Sequence, residues 1–233
     1  MQAVILAGGK GTRLKPYTVA IPKPLVPIGD LPVLEIIIMQ LKRHKIEDII
    51  ISTGHLAELI EAYFRKGNKW GVKIRYVRED KALGTAGAIK NIKGLANNFI
   101  LMNGDTLTDL DYNELYNFHL KSNAAVTISA VKREVAIDFG VLQISSDSKL
   151  IKYTEKPKRY DYVSMGVNVL SKKCKKYILK GETIGIPELI WKMQAANENI
   201  SCFKSDSYWL DIGRIEDFQT AQEEFEKNRE RFL

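Results

Sequence analysis

Gly8, Gly9, Gly11, Thr12 and Arg13 follow directly on the apolar run QAVILA, and Lys15 and Lys23 come soon after them. Glycines behind a first strand let backbone N–H groups approach an anion closely, and the cations add charge at the same place. The pattern is neither a Walker loop, which needs GxxxxGK and then Ser or Thr, nor a dinucleotide fingerprint, which opens a helix at once. Pro16, Pro22, Pro24 and Pro27 exclude a continuous helix through 15–27. The segment is therefore expected to run extended over the strand ends, where open α/β sheets bind ligands. A nucleoside triphosphate suits such a place: amides meet its phosphates, and Arg13 and Lys23 offset the charge of a departing pyrophosphate.

Asp105 closes the apolar run FILMNG. A carboxylate at a strand's carboxyl end in a phosphate site suits Mg²⁺, which prefers hard oxygen ligands. Asp211, in WLDIG, is a second carboxylate far away in sequence. The competing reading makes each of them a turn residue, before Thr106 and before Gly213. Glu155 and Lys156 sit between two strand-like runs, where such neighbours commonly form a surface ion pair worth little. His44, His55 and His119 pair with no Cys or His at metal-ligand spacing, so surface or capping roles are expected of them. Trp70, Trp191 and Trp209 are expected in the core or a pocket wall.

These residues need a frame, and apolar patterning supplies one. Strands are expected at 2–7, 48–53, 72–79, 97–105 and 124–132, and helices at 32–45, 55–67, 85–95 and 111–122, the last capped by Asp109 or Asp111. Alternating strands and helices imply a mostly parallel sheet covered on both faces. After about residue 133 the rhythm changes to strand-like runs with short connections, FGVLQI, KLIKYTEKP and YVSMGVNVL, which suggest a small antiparallel part. Helices follow at 185–197 and 215–232. In the last, Phe218, Ala221 and Phe225 recur at helical spacing, which suits packing onto the domain or, as the alternative, a contact between copies of a homo-oligomer. The reading is one domain over 1–233, with a nucleotide-binding half at 1–132 and a smaller half at 133–233.

Composition narrows the function classes. The 233 residues are 45% hydrophobic and 27% charged, ordinary for a globular chain that buries a sizeable core. No apolar run is long enough for a membrane span, and the N-terminus lacks the basic region of a secretory signal. Two cysteines, Cys174 and Cys202, make no disulfide framework. A cytoplasmic protein without membrane or nucleic-acid partners is expected. The net charge of +7 is spread over scattered lysines, without a nucleic-acid motif, so small phosphorylated molecules are the better anionic partners.

The segment LAGGKGTRLKPYTVAIPKPLVPI resembles the signature of the sugar-1-phosphate nucleotidyltransferases, or NDP-sugar pyrophosphorylases. LGTAGAI (83–89), NGDTL (103–107), TEKPK (154–158), YVSMGVNVL (162–170) and YWLDIG (208–213) resemble further blocks of that family, in family order. The resemblance implies a GT-A-like α/β fold and the reaction of NTP with a sugar 1-phosphate to give NDP-sugar and pyrophosphate. By resemblance, Leu6, Ala7, Gly8, Gly9, Gly11, Thr12, Arg13, Lys23, Gly84, Thr85 and Asp105 would bind the nucleotide. Gly84 would lie by the base and ribose, and its structural alternative is a helix-start glycine with Thr85 as cap. Asp105 and Asp211 would jointly hold Mg²⁺. Lys156 would bind the sugar's phosphate, Glu155 its hydroxyls, and Gly140 and Asn168 would line the sugar pocket.

DKALGTAGAI looks most like the segment of mannose-1-phosphate guanylyltransferases, and lacks the glutamine-containing form of thymidylyl- and uridylyltransferases acting on glucose 1-phosphate. That favours GTP with mannose 1-phosphate or a related hexose or heptose phosphate. A uridylyl- or thymidylyltransferase, a phosphocholine cytidylyltransferase and a non-catalytic nucleotide-sugar-binding regulatory subunit are the alternatives. Tyr160, Tyr162 and Trp209 could cage a choline, whereas Glu155-Lys156-Pro157 favours a sugar phosphate.

Overall fold

Alternation along the first strand already assigns its two faces. In the computed structural model, which describes residues 1–79 and 81–233, β1 (Gln2–Ala7) sends Ala3, Ile5 and Ala7 into one apolar cluster and Val4 into another. The chain continues through β2 (Pro27–Ile28), β3 (Leu31–Pro32), α1 (Val33–Arg43), β4 (Asp48–Thr53), α2 (Ala57–Phe64) and β5 (Lys73–Arg78). Then come α3 (Gly84–Asn91), β6 (Asn98–Asn103), β7 (Thr106–Thr108), α4 (Tyr112–Ser122), β8 (Val126–Ala136), β9 (Val141–Ile144) and β10 (Leu150–Thr154). The last part holds β11 (Lys158–Ser171), α5 (Ile186–Ala195), β12 (Ile200–Ser205), β13 (Trp209–Asp211), α6 (Ile215–Lys227) and α7 (Arg229–Phe232). Asp80, which opens the DKALGTAGAI segment, lies outside the described residues.

Seven strands form the central sheet in the order β12-β8-β11-β6-β1-β4-β5. The ladders are parallel except those of β11, which runs antiparallel to both β6 and β8. The sheet is thus mixed and mostly parallel, as expected. α1, α2, α4, α6 and α7 contribute to the cluster on one face, α3 and α5 to that on the other. Burial on both sides is why the central strands are near-continuous apolar runs. Among the described residues no helix is long and apolar enough to cross a membrane.

The antiparallel part has two pieces. Among the described residues β9 and β10 pair only with each other, as a hairpin apart from the sheet. β8 and β11 pair well past the core, out to Ala136 and Lys158. β8 therefore outruns its expected end at 132, and its added residues, 133–136, are exposed or half-buried because no layer covers them there.

Several elements differ from expectation. β2, β3, β7 and β13 are two or three residues long, too short for a pattern to reveal. β12 lies at the sheet's edge, half-buried or exposed throughout, and its residues ISCFKS do not alternate apolar with polar. The last helix breaks at Asn228 into α6 and α7. Asp111 caps α4 by accepting from the amides of Asn113 (2.8 Å) and Glu114 (3.1 Å), while Asp109 pairs with Arg231. His119 is buried, not at the surface, with its ring nitrogens against Thr127 Oγ1 and Asn98 Oδ1. Trp191 is 63% exposed and belongs to neither core nor pocket wall.

The proline segment is not extended throughout. It folds into three short 3₁₀ turns, Thr12–Leu14, Tyr17–Val19 and Lys23–Leu25, pinned by the buried Leu14, Pro24 and Val26. Gly11 makes this compaction feasible. Its φ is +61°, and a β-carbon there would lie 3.0 Å from Thr18 Cγ2 and 3.1 Å from Lys23 Cβ. Thr18 Oγ1 donates to the Gly11 carbonyl at 2.7 Å and closes the loop. Behind it, the β2–β3 hairpin is clamped by α6: Gln222 accepts from the Gly29 amide (2.6 Å) and donates to the Pro27 carbonyl (2.8 Å). Ala221 and Phe225 are buried, and Phe218 packs against Tyr17. The last helix thus holds the first loop in place.

Candidate functional site

Parallel strands deliver their carboxyl ends to one side, and the loops that leave them meet there. At the ends of β1, β5 and β6 lies a cleft of about 360 Å³. Its walls include Leu6, Ala7, Gly8, Gly9, Arg13 and Lys23 from the first strand and loop, and Gly84 and Thr85 from the start of α3. Asp105 and Asp211 complete it. Ten of the sequence-derived candidates therefore line one space. Gly11 and Thr12 do not line it; they shape the loop that presents Arg13.

The loop offers free donors. The amides of Gly9, Lys10 and Gly11 have no acceptor among the described residues. Unpaired backbone N–H groups beside a cleft are what an anion can use. Glycine also lets two loops touch here: a β-carbon on Gly54 would lie 2.8 Å from the Gly8 carbonyl oxygen.

Charged groups meet in the cleft. The Lys23 ammonium bonds Asp105 Oδ2, with the lysine side chain only 11% exposed. The other oxygen, Asp105 Oδ1, is buried without a hydrogen-bond partner among the described residues. Asp211 is brought alongside by the β7–β13 ladder, which pairs it with Thr106, and by the Ile212 amide, which donates to the Asp105 carbonyl at 3.0 Å. Burial, then the Asp105 charge, push the Asp211 carboxyl above the usual carboxylate range, and Lys23 and Arg13 pull it partly back. Gly213 sits between that carboxylate and the arginine: a β-carbon there would lie 3.0 Å from Asp211 Oδ2 and 3.4 Å from Arg13 Nη1. Two carboxylates, one with an orphaned buried oxygen, make a hard-oxygen donor set for a divalent cation. Among the described residues no group of three or more His, Cys, Asp or Glu suits a metal. A two-carboxylate site leaves the remaining positions to substrate phosphates and water, the arrangement Mg²⁺ commonly takes.

The structure also adds two residues that sequence reasoning passed over. Glu79 follows β5 and Asn103 ends β6, and both line the cleft. Glu79 is held firmly: Ser52 Oγ donates to its Oε1 (2.8 Å) and the Leu83 amide to its Oε2 (3.1 Å). No cation pairs with it among the described residues. Its signal was positional, a carboxylate at the carboxyl end of an alternating strand, where ligands of such sheets lie.

Gly84 starts α3 at φ +76°, with the Ile184 carbonyl oxygen 2.5 Å from where a β-carbon would be. That carbonyl accepts from the amides of Ala86 and Gly87, so it, and not Thr85, caps the helix. Thr85 Oγ1 instead accepts from the Ile186 amide (3.0 Å) at the start of α5.

The four sugar-side candidates lie outside this lining. Gly140, Glu155 and Lys156 cluster at the open end of the β9–β10 hairpin, where Tyr153 Oη donates to Glu155 Oε2 at 2.9 Å. Glu155 and Lys156 are exposed and do not pair with each other. Lys156 has a left-handed φ of 42°. Asn168 is apart from them, 4% exposed in mid-β11 opposite Leu101 and Ile128, with Oδ1 unpartnered.

Residues 2–228 match the family model described as nucleotidyl transferase. The UTP–glucose-1-phosphate uridylyltransferase of a Synechocystis strain is 33% identical over 95% of this chain, which spans 62% of that relative's length. The D-glycero-α-D-manno-heptose 1-phosphate guanylyltransferase of Aneurinibacillus thermoaerophilus is 32% identical, over 97% of this chain and 99% of the relative. The crystal structure of HddC from Yersinia pseudotuberculosis with GMP-PN superposes with a TM-score of 0.72 at 31% identity, covering 96% and 99% of the two chains.

Proposed function

We propose that this chain, which belongs to the nucleotidyl transferase family, transfers a nucleoside monophosphate from an NTP to a sugar 1-phosphate. The products are NDP-sugar and pyrophosphate. The observation that carries this reading is the meeting of Arg13, Lys23, Asp105 and Asp211 in one cleft, beside a glycine loop with free amides. A phosphate oxygen of the sugar phosphate attacks the α-phosphorus in line, and the bond to the β-phosphate oxygen breaks. The nucleophile is already an anion, so no general base is required. Catalysis is positioning and charge stabilisation. Arg13 and Lys23 meet the leaving pyrophosphate, the amides of Gly9 and Gly11 hold phosphate oxygens, and Lys156 steers the acceptor's phosphate. Asp105 and Asp211 would hold Mg²⁺, which when bound neutralises phosphate charge. With NTP as donor, the work belongs in the cytoplasm.

Within that class we assign GTP as the donor, with mannose 1-phosphate or a related hexose or heptose 1-phosphate as acceptor. Glu79 supports the base. Guanine presents N1–H and its amino group side by side, a pair of donors that one carboxylate accepts together. Uracil and thymine present one N–H between two carbonyls, which a carboxylate repels. The guanylyltransferase relative, matched over nearly its whole length, points the same way.

The test is pyrophosphate release by the purified protein with Mg²⁺. The grid crosses ATP, CTP, GTP, UTP and dTTP with mannose, glucose and heptose 1-phosphates and phosphocholine. Release with GTP and mannose or heptose 1-phosphate is expected. Release with UTP or dTTP alone would keep the reaction and overturn the role of Glu79. Glu79→Gln should lower kcat/KM for GTP relative to UTP by about tenfold or more.

A further inference from the structure

The geometry points to Lys23 as a stand-in for the divalent ion: without nucleotide its ammonium occupies Asp105, and metal and lysine compete for that carboxylate. This rests on the function proposed above and concerns the order in which that site fills.

In the nucleotide-free cleft, the Asp105–Asp211 pair of carboxylates is met by two cations. Asp105 is met by Lys23, and Asp211 has the Arg13 guanidinium close to it across Gly213. The lysine is nearly buried, so water screens its charge poorly. A divalent ion arriving alone would face that ammonium on its own ligand and would leave the displaced lysine without a partner, which is costly for a sheltered charge. An ion arriving with the triphosphate brings the anion that Lys23 then needs. The lysine can change partners by rotating its side chain alone. Its Cβ lies beside Gly11, in the loop with free amides, and its tip reaches Asp105. One side chain thus spans from the phosphate-facing loop to the metal-facing carboxylate. Asp105 Oδ1, buried and unpartnered, is the oxygen left open for the ion while Lys23 holds the other. Metal should therefore bind weakly to the free protein and strongly once nucleotide supplies a second home for the ammonium.

The test is Mn²⁺ binding to nucleotide-free protein, followed by the loss of the free-ion signal in electron paramagnetic resonance. Lys23→Met removes the charge and keeps the bulk. It should tighten Mn²⁺ binding by about tenfold or more, and the gain should vanish when Asp105→Asn is added. Lys23→Arg keeps the charge and should bind Mn²⁺ as weakly as the wild type. Lys23→Gln repeats the measurement if the methionine variant melts early. Unchanged or weaker Mn²⁺ binding in the neutral variants overturns the inference, and so does the lack of any Asp105-dependent binding. Pyrophosphate release by the wild type, measured separately, reports whether the proposed function stands or falls with it.

Discussion

The cleft and the hairpin are two regions of one chain with opposite construction. In the cleft, the charged groups other than Arg13, which is exposed and has no ion pair among the described residues, are already held. Lys23 is on Asp105, Asp211 is packed beside both, and Glu79 is fixed by two donors. In the β9–β10 hairpin, the candidates stand in the open. Glu155 meets only a neighbouring tyrosine, Lys156 pairs with nothing among the described residues, and Phe139 beside Gly140 is 77% exposed. The cleft is backed by a seven-stranded sheet, whereas the hairpin pairs only with itself. A preorganised region can stabilise a transition state without rearranging. An exposed one can recruit and orient but must lose freedom when it does. Under the proposed function, the difference would give reaction rate to the first and acceptor capture to the second.

The hardest test of that division is removal of a cleft cation. Arg13→Ala or Lys23→Ala should lower turnover by roughly 10³-fold, as for loss of a positioned donor to a developing charge, with the fold intact by circular dichroism. Near-normal rates in both variants would break the comparison. Glycines sharpen it next. At Gly84 a β-carbon would press the Ile184 backbone at a left-handed φ, so Gly84→Ala should cost about 2–4 kcal/mol of stability. At Gly140 a β-carbon would meet the Tyr153 hydroxyl, at the tip of a half-exposed side chain that can swing aside. Gly140→Ala should therefore cost less than about 1 kcal/mol. Urea unfolding of the two variants measures both. Equal losses would mean that the hairpin is as rigid as the cleft.

The same contrast explains what the sequence disclosed. β1, β4 and β6 were legible because burial on both faces demands unbroken apolar runs. Arg13, Lys23 and Asp105 were legible because a loop at a strand's carboxyl end can hold little else of that chemistry. The compact course of residues 12–25 was hidden. It depends on Gly11 meeting Thr18 and Lys23, a contact that no local pattern encodes. Glu79 looked like the tail of an alternating strand, and its importance comes from Ser52 and Leu83, brought to it by folding. Asn168 was carried by resemblance alone, and it lies buried in mid-strand away from the hairpin cluster.

On the hairpin side, Lys156→Ala should raise KM for the sugar 1-phosphate by about tenfold while kcat at saturation and nucleotide affinity stay near wild type, as for one charge-assisted hydrogen bond. Steady-state kinetics in both substrates, with nucleotide titration, separates the two effects. A fall in kcat as deep as that of Lys23→Ala would place Lys156 in the preorganised site after all, and would blur the line between the regions.

The smallest effect tests whether the cleft's order has a cost. The Asp211 carboxyl keeps its proton to a higher pH in the folded chain than in the unfolded one, first because it is buried and then because Asp105 is near. As pH rises through the usual carboxylate range, the unfolded chain therefore releases this proton before the folded chain does. Stability falls across that interval and stays lower above it. An asparagine side chain cannot ionise, so Asp211→Asn should melt on the order of 2 °C above wild type at neutral pH in chelator-treated buffer. The gap should close below the ordinary carboxylate range, where both side chains are neutral. The same variant should lose pyrophosphate release if Asp211 is, as proposed, one of the two carboxylates that hold the divalent ion. A melting point that drops at neutral pH would mean that the attraction of Arg13 and Lys23 outweighs burial and the neighbouring carboxylate, and that the cleft is charged for stability as well as for chemistry.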